Sequence, residues 1–380
     1  MLKFWHGHDI LVEILLDLGN YSLYCLIFLI FYRKKIINSS YCLLLCILML
    51  TPFLFNNTYV PWMMNPDQSR YFQSAYNFRK DLNFLGFLDM RNLPDVKTSF
   101  ASYIFAFSPI LNIETFKSIG FFNRFVFLSS ITYFIKKKKF SSLIFLILIL
   151  SPSLTYFTSV SLRETLVLLF MLWTIYFYLD GKKILFIISI SFVTIVKIQN
   201  LLIVLFFIFA NEFIKFKNKK KFIAFTIIIL TPIFLLYGQN ILDQLNFIRE
   251  GLFKEAYGSY RGLSSENTYY DLEFNFELIL TTVLSLSTFS FSPILDISSM
   301  FKLTILIETF ILYFILVKGY LSSKTKLVSN LWAVTLLFSF LIYSLVLFND
   351  GTIHRYRVSL IFFSLIGYNL HINFLKKKYG

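Results

Sequence analysis

Charged side chains make up only 15% of the 380 residues, against 57% hydrophobic, too few to clothe a soluble fold. Cysteine is sparse as well. Cys25, Cys42 and Cys46 all lie in apolar runs, with neither a disulfide framework nor a metal-ligand spacing. There is no glycine-rich phosphate loop and no nucleophile elbow, so no metal and no cofactor is expected. No small-residue cleavage site follows the first apolar run, and a removed leader is therefore not expected. Acidic residues number 21 against 36 basic, giving a net charge of +15. The excess sits in short lysine and arginine runs between apolar segments. That is the pattern of cytoplasmic turns in a membrane protein, and no nucleic-acid partner is expected.

What the chain does have is a succession of apolar runs, several close to the ~20 residues needed to cross a hydrocarbon core. The first, from Ile10 to Tyr32, ends at Arg33-Lys34-Lys35, and the second covers Ser40 to Phe55. A polar segment, about 56–97, follows; Tyr71, Tyr76 and Phe78 mixed with Arg70, Arg79 and Lys80 predict an interfacial helix there. Ser99 to Ile113 is short, holds Pro109 and reads as a re-entrant dip. Phe121 to Ile135 must end at Lys136-Lys137-Lys138-Lys139, and Phe140 to Leu150 returns to Ser151-Pro152-Ser153. The run beginning at Arg163-Glu164 comes back to Asp180-Gly181-Lys182-Lys183. Two half-length helices meeting at Lys197-Ile198-Gln199-Asn200 fit between that turn and the basic run 215–221. Phe222 to Tyr237 leads to a second polar segment, about 238–275. Phe276 to Ser290 reads as re-entrant or interfacial, and crossings at Phe301 to Val317, Leu327 to Phe348 and Val358 to Phe374 complete the chain. The expectation is an all-α polytopic membrane protein, a single domain over 1–380 with about eleven crossings, its N-terminus outside and its C-terminus inside.

On this topology Asp67, Arg70, Arg163, Glu164, Lys197, Gln199, Arg249, Arg261, His354, Arg355 and Arg357 share the outer side. The inner charges are nearly all lysines, whereas the outer ones are rich in arginine, whose planar fork grips phosphate through two donors. An anionic lipid substrate at the outer leaflet accounts for the asymmetry. Each feature also has a plain structural account. Arg163 beside Glu164 fits an ion pair at a helix start, Lys197 fits a snorkelling lysine, Arg355 and Arg357 fit headgroup anchors, and Asp67 fits an N-cap.

Three stretches carry a family resemblance: Ser151-Pro152-Ser153 leading into Ser161-Leu162-Arg163-Glu164-Thr165-Leu166; Lys197-Ile198-Gln199-Asn200; and Gly351-Thr352 leading into Arg355-Tyr356-Arg357. Here the chain resembles the Wzy-type oligosaccharide repeat-unit polymerases of bacterial surface polysaccharide clusters. The segment Asp67-Gln68-Ser69-Arg70-Tyr71 is also similar to the first outer loop of C-type glycosyltransferases, where an acidic residue activates the acceptor. The resemblance implies glycosyl transfer at the periplasmic face of the bacterial inner membrane. Its donor and acceptor would be undecaprenyl-diphosphate-linked oligosaccharides, and a polysaccharide chain-length regulator would be a further partner. The catalytic candidates are Asp67 or Glu164 as base with His354 behind them, and Arg163 as the cation beside the departing diphosphate. Substrate-binding candidates are Arg70, Tyr71, Lys197, Gln199, Asn200, Arg249, Tyr260, Arg261, Arg355 and Arg357. A C-type transferase adding one sugar, and a flippase or other transporter, remain the alternatives. Two repeated halves, the usual mark of a transporter, are not visible.

Overall fold

The computed structural model describes residues 10–55, 67–81, 96–106, 115, 117–137, 142–216, 231–232, 236, 238–240, 242–251, 272–273, 276–291, 300–323, 325–347 and 350–379. Among the described residues every regular element is helical. Six helices are long and apolar enough to cross a membrane: Leu11–Arg33, Ser118–Lys136, Ile198–Lys215, Leu303–Leu321, Lys326–Ser344 and Thr352–Lys376. The pair Pro152–Ser159 and Glu164–Asp180, bent by 106°, makes a seventh if taken as one broken span. This is a helical membrane protein, but its described helices fall short of the expected eleven crossings. The shortfall arises because several apolar runs break before reaching spanning length. The second run divides into Ser39–Leu48 and Thr51–Phe55, and the run 140–150 supplies a helix of only nine residues, Ser142–Leu150. Lys183–Val196 and Phe276–Phe291 hold 14 and 16 residues, short of the ~20 a crossing needs. The crossing expected over 222–237 lies largely outside the described residues.

The chain falls into two compact units, Met1–Leu201 with Asn369–Gly380, and Leu202–Tyr368. The first is built from α1 (Ile10–Arg33), α2 (Ser39–Leu48), α3 (Thr51–Phe55), α4 (Asp67–Asp81), α5 (Val96–Ala106), α6 (Ser118–Lys136), α7 (Ser142–Leu150), α8 (Pro152–Ser159), α9 (Glu164–Asp180), α10 (Lys183–Val196) and the start of α11 (Ile198–Lys215). Helix α1 buries Asp17, Asn20, Tyr24 and Phe28, spaced three and four apart as one helical face requires, and exposes Leu11, Leu15, Leu26 and Ile30. An exposed leucine face suits lipid. The buried face runs parallel to α6: Lys117, just before that helix, pairs with Asp17 at 3.3 Å, and Phe125 stacks on Tyr24 at 4.6 Å. Helix α2 runs the other way, with Tyr41 bonded to Thr132 and the Leu48 carbonyl reached by Arg124. Helices α6 and α9 are parallel, since Asn123 near the start of α6 reaches the Leu162 carbonyl just before α9, and Tyr133 near its end meets Tyr176.

These contacts gather Arg33–Lys35, Lys136–Lys137 and Lys182–Lys183 at one end of the unit, as the alternation of basic turns predicts. At that end the Asp180 carboxylate, 3.1 Å away, holds the exposed Lys182 ammonium above its ordinary range. The α9–α10 turn depends on Gly181 at φ 72°, the left-handed conformation that a glycine adopts without strain. It closes with Lys182 N–H on the Phe177 carbonyl and Gly181 N–H on that of Tyr178, the paired bonds of a Schellman cap.

The second unit holds the rest of α11, a helical stretch over 242–251, α12 (Phe276–Phe291), α13 (Met300–Leu321), α14 (Lys326–Ser344) and most of α15 (Asp350–Tyr379). Helices α13 and α15 are parallel: Arg357 lies by Thr309, and Tyr368 donates to the Gly319 carbonyl. Helix α14 is antiparallel to both. Its Phe340 meets Phe289 and Tyr313, while Trp332, at its other end, meets Phe363. Lys318 and Lys326 therefore lie toward one end of this unit and His354–Arg357 toward the other. Asn246 ties the 242–251 helix to 272 by donating to the Leu272 carbonyl at 2.9 Å and accepting its N–H at 2.8 Å.

Candidate functional site

Among the described residues of the first unit, a group of buried polar side chains surrounds the break between α8 and α9. Helix α8 starts cleanly: Ser151 caps the Leu154 N–H, and Pro152 fills the first turn, where its missing N–H costs nothing. It stops at Val160, which is extended at φ −107° and ψ 163°. Just before that, the Thr158 and Ser159 hydroxyls donate back to the carbonyls of Leu154 and Thr155, local bonds of the kind that bend helices.

A chain that leaves the helix in an apolar protein must satisfy its freed backbone elsewhere. Two side chains do so. Asn123 on α6, fully buried, donates through Nδ2 to the carbonyls of Val160 at 2.9 Å and Leu162 at 2.7 Å. Gln68, in the first turn of α4, accepts the Ser161 N–H at 3.0 Å. Thr165 reaches back across the break to the Phe157 carbonyl, and Thr51 pairs with Ser159. The bend is thus held by α4, α6 and the α2–α3 region together.

Arg163 is half-buried at the N-cap of α9, and Glu164 is buried in its first turn. There the carboxylate faces the positive end of the helix dipole. Lys197 comes level with them through the α9–α10 hairpin. Phe170 stacks on Phe192 at 4.9 Å, and each lies eleven residues from Gly181 (181 − 170 and 192 − 181). Continuing that register, Lys197, sixteen residues past Gly181, stands opposite Thr165. Lys197 is extended between α10 and α11, where the expected break falls. Only α10 is of less than spanning length: α11, at 18 residues, is long and apolar enough to cross, which corrects the expectation of two half-length helices. Both Lys197 and Asn200 are buried while Gln199 is half-buried. Gln68 brings the start of α4, and with it the backbone of Asp67, to the same break. The Asp67 side chain lies outside the described residues.

Helix α4 forms where the interfacial helix is expected. It buries Gln68, Tyr71, Phe72 and Ala75 on one face and exposes Arg70 and Gln73. Tyr71 meets the Phe105 ring edge-on at 6.2 Å, which makes it a packing contact of α4 on α5. In the second unit Arg357 is buried and spends its fork on protein. Nη1 donates to the Phe289 carbonyl at 3.2 Å, and Nη2 lies 3.4 Å from both Thr309 Oγ1 and His354 Nδ1. Because a guanidinium only donates, Nδ1 of His354 is the acceptor there, and its lone pair is engaged in this arrangement. Arg355 lies 5.2 Å from the Tyr356 ring centroid, and Tyr356 stacks on Tyr343. Arg249 is buried in the 242–251 helix; Tyr260 and Arg261 lie outside the described residues.

The sequence reading gives no role to Gln68, Asn123, Arg124 or Asp17. Arg124 and Asp17 did carry a signal, since an ionisable residue inside an apolar run marks a site or a structural pair wherever it occurs. Gln68 and Asn123 carried none; their partners lie 93 and 37 residues away. No family model matches the chain, and neither the curated proteins nor the solved structures contain a match to it.

Proposed function

We propose that this protein is a membrane glycosyltransferase that polymerises undecaprenyl-diphosphate-linked oligosaccharide repeat units at the outer face of the bacterial inner membrane. The reading begins from the sequence resemblance. The observation that carries it further is the gathering of the α4 start, Arg163-Glu164 and Lys197-Asn200 at one end of the first unit, opposite the lysine-rich turns. Cations at a satisfied break in a membrane-embedded helix suit a substrate that arrives through the bilayer carrying a diphosphate.

In this reaction Asp67 or Glu164 takes the proton from the acceptor hydroxyl. The freed oxygen bonds to the anomeric carbon of the donor chain, and the bond from that carbon to the diphosphate breaks. Undecaprenyl diphosphate departs with the electron pair, and Arg163 offsets its growing charge. With the lone pair of Nδ1 engaged by Arg357, His354 ranks behind the two carboxylates as base. A C-type transferase would share this chemistry and differ in adding a single residue.

The test is the lipid-linked glycan pool of a strain lacking the protein. Polymerase function predicts accumulation of one complete repeat unit on undecaprenyl diphosphate and loss of the long-chain ladder. A unit short by one sugar would indicate the C-type transferase, and an unchanged pool with a normal ladder would reject both.

A further inference from the structure

Arg124 is fully buried on α6, beside the break. Its Nη1 donates to Thr158 Oγ1 at 2.7 Å, and its Nε donates to the Leu48 carbonyl at 3.3 Å. The Phe127 ring centroid lies 6.0 Å from the guanidinium carbon. Among the described residues no carboxylate comes within ion-pair distance of it, and Nη2 has no hydrogen-bond partner. The neighbouring Asn123 likewise commits Nδ2 to the break and leaves Oδ1 without a partner among the described residues.

An arginine does not escape burial by losing its proton, so this charge must be offset in place. The carbonyl ends of α2 and α8 carry partial negative charge and offset part of it. The Leu48 carbonyl takes Nε and the Thr158 hydroxyl takes Nη1, which leaves Nη2 over. A tie between one carbonyl and one hydroxyl needs no full charge. A buried guanidinium with a spare donor calls for an explanation, and an anion supplies one.

We propose that Arg124 is a further phosphate-binding residue, donating through Nη2 to a phosphate group seated at the α8–α9 break, beside the first turn of α9. This rests on the reading of that break as the substrate's site. The ligand class is a phosphate or diphosphate ester, and a lipid-borne diphosphate is the form a membrane-embedded site would meet.

The experiment uses the full-length protein purified in detergent, with thermal unfolding followed against increasing farnesyl diphosphate, inorganic diphosphate or farnesol. The expected result is a rise in Tm with farnesyl diphosphate and none with farnesol. In R124M the response should need about 10- to 100-fold more farnesyl diphosphate, the usual loss for one charge-assisted bond. The unliganded R124M should melt at or above the wild-type temperature, because an apolar residue of similar length removes a buried charge. A response to inorganic diphosphate that also weakens in R124M supports the phosphate site with a soluble source.

An R124M protein that responds like wild type overturns the proposal. R163Q separates the two levels. If R163Q weakens the response and R124M does not, the break remains the substrate's site and Arg124 is a structural tie. If wild type responds to no phosphate probe, both fail. R124K keeps the charge and serves where R124M does not accumulate; if neither variant folds, the role is structural and the proposal is wrong.

Discussion

Gln68 accepts the Ser161 N–H at 3.0 Å, across 93 residues of sequence and with both residues buried. One bond thereby fixes the start of α4 against the break between α8 and α9. Replacing Gln68 by leucine keeps its bulk but leaves a buried backbone donor without an acceptor, at a cost of about 1–3 kcal/mol. Gln73→Leu, on the exposed face of the same helix, should stay within ~0.5 kcal/mol of wild type. Thermal unfolding of the two variants checks this, and equal values would show that the Gln68 bond contributes nothing to holding the break.

Arg163 separates chemistry from scaffolding. Lysine preserves the charge, which is all that a structural role beside Glu164 would need, but it loses the planar fork. If Arg163 supports charge on the departing diphosphate, Arg163→Lys should lower polymer formation about 10²- to 10³-fold. Membrane levels of the variant should match wild type. Polysaccharide ladders on gels, normalised to those levels, give the measurement, and a normal ladder would return Arg163 to a purely structural role.

Gly367 offers a test of the second unit that is independent of any function. A Cβ at this position would overlap the Trp332 ring at Cη2. That ring is fully buried, with Phe207 at 4.5 Å and Phe363 at 5.5 Å, and has no room to retreat. Gly367→Ala should therefore destabilise by about 1–3 kcal/mol through overpacking. Adding Trp332→Leu should recover part of the loss, giving a coupling of opposite sign in a double-mutant cycle. Additive losses would show that the two side chains do not compete for this space.

The contrast between Asn123 and Lys197 shows how far the sequence could be read. The break at Lys197 is legible because its cause is local: a charged and amide-bearing tetrapeptide interrupts an apolar run between two basic turns. Nothing local marks Asn123 as the residue that holds the neighbouring break, because its acceptors at Val160 and Leu162 lie in the linker between α8 and α9, far along the chain. Arg357 differs again. Its charge and position were legible, but the commitment of its fork to Phe289, Thr309 and His354 was not.

The sequence by itself determined the helical membrane class, the segregation of lysine-rich turns to one end, and the polar interruptions at Arg163 and Lys197. Run length, charge and period are properties of neighbouring residues, and apolar solvent leaves them few alternatives. Tertiary structure decided where apolar runs break short of a full crossing and which side chains satisfy the broken backbone. It also decided that Arg124, unremarked in the sequence, is buried at the α8–α9 break. Those outcomes depend on hydrogen-bond partners brought together from distant parts of the chain, and a buried polar group is settled by the partners it finds there.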